Sequence, residues 1–232
     1  MQINKINHKN YYIYTILVFI FIPLNFIPQL MDAVSIIYAY EIKDISQINL
    51  FYISAGRYFH LIFIYLIDGL SKYTFIPAEF FLDNFLVLFL ILFCFEVRLY
   101  TKLLFNLEDK WCNFAALFTA IFPIWHILVD FDIGQYLISI YLLLFGFRNF
   151  IKKNKIKSFL SLIFIFISFN VESNLSFVIG LSIIFLILKK NNSLYNISSY
   201  KFLTISLTVL LYYFLRVNYF PPTGMYEGLN MV

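Results

Sequence analysis

The feature that most constrains this chain is its succession of long apolar runs. The first run, residues 11–31, holds no charged side chain over 21 positions, and about 20 apolar residues suffice to cross the hydrocarbon of a bilayer as a helix. Charged residues make up only 13% of the chain, against about 25% in soluble domains. We therefore predict an all-α fold, a polytopic transmembrane bundle of about seven spans that forms a single membrane domain over residues 1–232. The remaining predicted spans are 75–95, 113–129, 133–147, 158–171, 174–188 and 202–217.

One apolar segment is too short to cross a membrane. Tyr58 to Ile67 is bounded by Arg57 and Asp68, and ten helical residues cover about 15 Å, half of the hydrocarbon thickness. Such a segment is interfacial or re-entrant. We predict an interfacial amphipathic helix over residues 57–69, in the first outer loop.

The distribution of Lys and Arg predicts the orientation. With seven spans and the N-terminus inside, the inner segments hold thirteen basic residues and the outer segments four, which is the positive-inside pattern. An eight-span arrangement with the N-terminus outside satisfies the count about as well and would put Asp32 in the cytoplasm, but its extra span would be far too short. The formal charge of +4 comes from short loops between spans, so it does not indicate nucleic-acid binding.

Three acidic residues of the predicted outer face are candidates for chemistry. Asp32 follows Met31 directly at the end of the first span, where the helix dipole disfavours a negative charge. Asp130 and Asp132 lie two residues apart at a predicted hairpin bend, so they can share a Mg²⁺ or Mn²⁺ ion. The alternative for this pair is a polar turn that lets the chain reverse.

Further candidates are acids within or between spans. Glu79 and Asp83 are four residues apart and so share a helix face. Acids inside a span usually face a polar interior, and the alternative is a shallow interfacial position. Glu172 is at a bend between two short predicted helices. We treat all three as candidate substrate-binding residues.

The order of these features resembles the GT-C class of polytopic membrane glycosyltransferases, including bacterial glucosyltransferases that modify O-antigen or other surface glycans. The resemblance covers roughly residues 10–135. It rests on an acid just beyond the first span, a Gly-Arg that opens an amphipathic segment ending near Asp68-Gly69, an inner loop with basic residues, and a span with a small-residue start that ends in proline. The residues concerned are Asp32, Gly56-Arg57, Arg98, Lys102, Asn113-Phe114-Ala115-Ala116 and Pro123.

The resemblance implies a function and a location. Members transfer a sugar from a polyprenyl-phosphate-linked donor to a surface glycan or lipid acceptor, and interfacial helices cradle the lipid. A carboxylate of the first outer loop acts as the base or positions the acceptor, which here is Asp32, and a second acidic pair matches Asp130 and Asp132. The implied location is the bacterial inner membrane, among its lipids, with the N-terminus in the cytoplasm.

The chemistry also needs a cation beside the phosphate leaving group, and Lys43 and Arg57 lie in the same predicted outer loop. This chain departs from the class in having a single acid after the first span and in being much shorter than its members. An inactive partial glycosyltransferase is therefore one alternative. The other is a transporter or flippase subunit without enzymatic activity, with Glu79, Asp83 and Glu172 as pathway residues.

Overall fold

The computed structural model describes residues 11–21, 45–121, 131–151, 155–171, 174–175, 177–178, 180–183 and 199–223, and these contain helices and no strand. The predicted all-α class is confirmed. In chain order the continuous helices are α1 Tyr11–Phe21, α2 Ser46–Ser54, α3 Tyr58–Thr74, α4 Ala78–Phe105, α5 Asp109–Ile121, α6 Phe131–Phe150, α7 Lys155–Ser168 and α8 Ser199–Tyr219.

Helix α4 is the axis of the bundle. It contacts α1, α3, α5 and α6, and at 28 residues it is about 42 Å long. Among the described residues it is the one helix of at least 18 residues that is apolar enough to cross a membrane, and two shorter apolar helices lie at Ile156–Ser168 and Leu203–Tyr219. The arrangement of about seven spans remains a prediction.

Helix α4 extends ten residues beyond the predicted span 75–95. The sequence 96–112 was expected to be a polar loop, but the helix continues to Phe105 and ends at Asn106, whose left-handed backbone (φ 51°) donates a hydrogen bond to the Lys102 carbonyl. Asn tolerates this conformation better than most residues. The first polar residue of the extension, Glu96, is buried, so a charge in the sequence did not mark the end of the helix.

Helix α3 is longer than the predicted interfacial segment and folds back along the first half of α4. It continues past Asp68 to Thr74, and after a short turn the chain enters α4. The Phe63 ring lies 5.6 Å from Phe85 and 6.2 Å from Phe89, between ring centroids. Phe63 precedes the turn by about as many residues as Phe85 and Phe89 follow it, so the two helices are antiparallel. The interfacial location itself remains a prediction.

Helices α4 and α6 run in parallel. Leu86 of α4 lies against Gly134 near the start of α6, and Glu96 contacts Arg148 near its end. Helix α7 returns along α6, where Gly146 permits a close approach because an added Cβ would lie 3.0 Å from the Ser161 carbonyl oxygen. Small residues commonly allow helices to pack this closely in membranes.

Candidate functional site

Half of the predicted site residues lie outside the part of the chain that the structure describes: Asp32, Lys43, Asp130 and Glu172. Asp132 is in the first turn of α6, with a helical backbone and an undescribed side chain. Arg57, Glu79 and Asp83 are described in full. The geometry below therefore concerns these last three and the residues around them.

The α2–α3 turn, residues 54–57, meets the start of α6 and the end of α8. Arg57 donates a hydrogen bond through Nη2 to the Tyr136 hydroxyl at 3.3 Å. The Thr223 amide donates to the Ser54 carbonyl at 2.8 Å. We call this meeting point of three segments the turn junction. Its contacts join positions 79 and more residues apart, so sequence spacing did not predict it.

Gly56 is what allows the turn to form. Its φ of +68° is in the left-handed region, which costs a residue with a Cβ roughly 1–2 kcal/mol. The Arg216 guanidinium occupies the space that a Cβ on Gly56 would need. Arg216 is only 6% exposed, and it donates to the Ala55 carbonyl at 2.9 Å and to the Gly56 carbonyl. These two carbonyls directly follow α2, and Arg216 satisfies both of them where the chain turns.

Arg57 is partly exposed at the turn junction. Its guanidinium carbon lies 5.7 Å from the centre of the Tyr136 ring, in a cation–π contact, and this contact and the hydrogen bond to the hydroxyl hold it at the start of α6. A guanidinium carries five N–H donors in a planar fork. It can keep the bond to Tyr136 while it binds a phosphate through two others.

Glu79 and Asp83 have different environments despite their shared helix face. Glu79 is exposed in the first turn of α4, whereas Asp83 is 8% exposed. Asp83 lies one turn before Leu86, and Phe131 lies one turn before Gly134, so the Leu86–Gly134 contact places Asp83 beside the start of α6. The N-terminus of a helix stabilises an anion there. The four-residue spacing did not reveal this difference, since it depends on where α6 begins.

The other end of the bundle holds an ion pair that was not predicted from the sequence. The Arg148 guanidinium donates through Nε and Nη2 to the two carboxylate oxygens of Glu96, both at 2.7 Å. Glu96 is buried. From the sequence, Arg148 was expected in a basic loop and Glu96 in the polar loop 96–112. The available signal was the presence of opposite charges in two apolar helices, but opposite charge alone does not identify which residues pair.

The same end holds further cation contacts. Arg98 donates to the Asn113 side chain at 2.5 Å, which joins α4 to α5. Lys201 donates to the Phe150 carbonyl at the end of α6, also at 2.5 Å. Burial lowers the pKa of the Lys201 amine. Arg98, Phe150 and Lys201 belong to segments that the count of basic residues assigned to the inner face. They lie at the end of the bundle opposite the turn junction.

Metal binding remains a prediction. Within the described residues, no three His, Cys, Asp or Glu side chains lie together in a way that could hold a metal ion. Of the predicted ligands, Asp130 and the side chain of Asp132 are not described. Asp132 is in the first turn of α6, four residues before Tyr136.

Comparison with known proteins adds no relative. No family model, no curated protein and no solved structure matches the chain. The resemblance to GT-C glycosyltransferases therefore rests on the residue pattern alone.

Proposed function

We propose that this chain is a membrane glycosyltransferase that moves a sugar from a polyprenyl-phosphate-linked donor to a surface glycan or lipid acceptor. The observation that carries the proposal is that a cation and two acidic positions belong to the same end of the bundle. Arg57 contacts the start of α6, Asp132 is in the first turn of that helix, and the Leu86–Gly134 contact puts Asp83 of α4 at the same level. A transferase for such a donor needs a cation for the phosphate and carboxylates for the sugar and acceptor.

The surface of the molecule supports a membrane location. Large apolar side chains are exposed along α5, α7 and α8, where they are Phe114, Phe118, Phe159, Ile163, Leu203, Leu207, Leu210 and Phe214. Soluble monomers rarely expose apolar patches larger than a few hundred Å². Tyr73 and Phe75 are 88% and 94% exposed at the α3–α4 turn, and aromatic rings are enriched at the membrane interface. We infer an inner-membrane protein with its N-terminus in the cytoplasm and the turn junction outside.

In the proposed reaction an acceptor hydroxyl attacks the anomeric carbon of the donor. The bond between that carbon and the phosphate oxygen breaks, and the phosphate leaves with the electron pair. Asp32 takes the hydroxyl proton as general base. Arg57 and Lys43 neutralise the leaving phosphate, and Glu79, Asp83 and Glu172 bind the hydroxyl groups of the sugar.

A divalent ion would add to this charge neutralisation. A Mg²⁺ or Mn²⁺ ion held by Asp130 and Asp132 would stabilise negative charge on the phosphate. Carboxylate oxygens are suitable ligands for both ions. The metal is therefore proposed as an accessory to Arg57.

The test is Asp32→Asn in the full-length protein, reconstituted in lipid nanodiscs with a polyprenyl-phosphate-linked sugar and assayed for sugar transfer. Loss of a general base lowers the rate by about 10²–10⁴-fold, without loss of expression. Asp44→Asn is the matched control, since Asp44 lies in the same loop and has no assigned role. Normal transfer with Asn at position 32 would show the assignment to be wrong.

One observation favours the transporter alternative. Asp83 is buried in an apolar helix, as pathway acids of transporters are. If the chain is a transporter, Asp83→Asn abolishes substrate movement across proteoliposomes while Asp32→Asn does not, and the unmodified protein transfers no sugar.

A further inference from the structure

Helix α8 faces the bundle through a narrow stripe. Among the described side chains of α8 the buried ones are Lys201, Ile205, Tyr212 and Arg216, spaced four, seven and four residues apart, which puts them on one face of a helix. Most of the remaining surface of α8 is exposed. The stripe is apolar in its middle and carries a cation near each end. Its contacts are therefore of two kinds, packing in the centre and hydrogen bonds at the ends.

Both end cations donate to main-chain carbonyls at helix ends. Lys201 donates to Phe150 O, at the end of α6, and Arg216 to the carbonyls of Ala55 and Gly56, at the end of α2. A cation is stabilised at such an end because the helix dipole is negative there. The two cations are fifteen residues apart, about 22 Å along the helix. Helix α8 thus connects opposite ends of the molecule.

The Arg216 contacts determine where Arg57 lies. Arg57 follows Gly56 directly, and its amide donates to the Tyr52 carbonyl at 2.7 Å. The turn has no side chain at position 56, so Arg216 fills that space. Just beyond Arg216, the Phe220 ring lies 4.7 Å from Tyr58. Movement of the end of α8 would therefore release the turn on both sides of Arg57.

We propose that Arg216 is a positioning residue: it fixes the α2–α3 turn and so holds Arg57 beside Tyr136, where a substrate phosphate would bind. This inference rests on the proposed function only for the identity of the ligand. Arg216 does not need to touch the substrate. Because Arg216 contacts Gly56, which lies 160 residues earlier in the chain, the end of α8 is part of the site.

The structural part is tested by hydrogen exchange of the full-length protein in nanodiscs. Arg216→Gln removes the charge and at least one of the two hydrogen bonds, so we expect the Gly56 and Arg57 amides to exchange about tenfold faster or more. Lys201→Gln is the matched control at the other end of the same stripe and should leave these two amides unchanged. Unchanged exchange in Arg216→Gln, or equal acceleration in Lys201→Gln, would overturn the inference.

The functional part is tested by restoring the turn without Arg216. The hydrogen bond between Thr223 and Ser54 brings their backbones close enough for a disulfide. In Arg216→Gln we expect the KM for the lipid-linked donor to rise about tenfold or more, and the added Ser54→Cys/Thr223→Cys pair to reverse the rise after oxidation. A KM that stays high in the oxidised protein would overturn the positioning role. If the unmodified protein transfers no sugar, the proposed function fails, and hydrogen exchange still decides the role of Arg216.

Discussion

At the scale of single residues, the two glycines of the α2–α3 region differ in backbone conformation and in the space around an added Cβ. Gly56 has a positive φ and its Cβ position is filled by Arg216. Gly69 is in the interior of α3, with open space around the position of an added Cβ. The same substitution should therefore have opposite effects on stability.

We expect Gly56→Ala to destabilise the protein by at least about 1–2 kcal/mol, the cost of the left-handed backbone alone, with a further loss because Arg216 must move. Gly69→Ala is the control and should stabilise by about 0.5–1 kcal/mol, because alanine favours helix over glycine. Unfolding of both variants in the same detergent measures the difference. Equal stability of the two variants would contradict the geometry of the turn.

The residues of this turn also show what the sequence could and could not predict. Arg57 was assigned to substrate binding from its place in an outer loop, but its side-chain partner Tyr136 is 79 positions away, and Arg216 contacts the preceding Gly56 from 160 positions away. Such contacts depend on which helices pack together and in which register. No local pattern encodes the register, so Tyr136 and Arg216 were not found.

At the scale of helices, the Glu96–Arg148 ion pair joins α4 to α6 in the apolar core. Removing one partner of a buried pair leaves an uncompensated charge, whereas replacing both with apolar groups is often neutral. Spacing within either helix gave no sign of the pair, since its members are 52 residues apart. The helices themselves were easier to predict: residues 133–147 and 202–217 lie within α6 and α8, because apolar runs of this length fold as helices in a membrane.

We expect Glu96→Gln to destabilise the protein by about 3–5 kcal/mol, measured by unfolding in detergent. The double variant Glu96→Gln/Arg148→Met should recover most of this loss. Lys72→Gln is the control: Lys72 pairs with Asp68 on the surface, and we expect a change of at most about 0.5 kcal/mol. A single variant as stable as the unmodified protein would show that the pair is not buried in the folded molecule.

At the scale of the whole molecule, the contacts divide the loops between the two ends of the bundle, and this division holds for either orientation. The turn junction contains only segments predicted to be outside, namely residues 54–57, the start of α6 and the end of α8. Segments predicted to be inside meet at the other end, through Arg98, Arg148 and Lys201. Which of the two ends is outside remains a prediction from the count of basic residues.

Labelling of single introduced cysteines tests the orientation. Gln47 and Lys110 are both exposed, and the native Cys94 and Cys112 are buried. In intact cells a membrane-impermeant maleimide should modify Gln47→Cys and should reach Lys110→Cys only after permeabilisation. The reverse pattern would support the arrangement with the N-terminus outside.

The contact between Arg216 and Gly56 has a consequence for synthesis of the chain. Ribosomes add roughly 5–20 residues per second, so the arginine is made about 8–32 s after the glycine that it contacts. During that interval the Ala55 and Gly56 carbonyls lack the guanidinium donor that they have in the folded protein. The turn that holds Arg57 thus completes its contacts only after the end of α8 has been made, and a nascent chain arrested before Arg216 lacks this site.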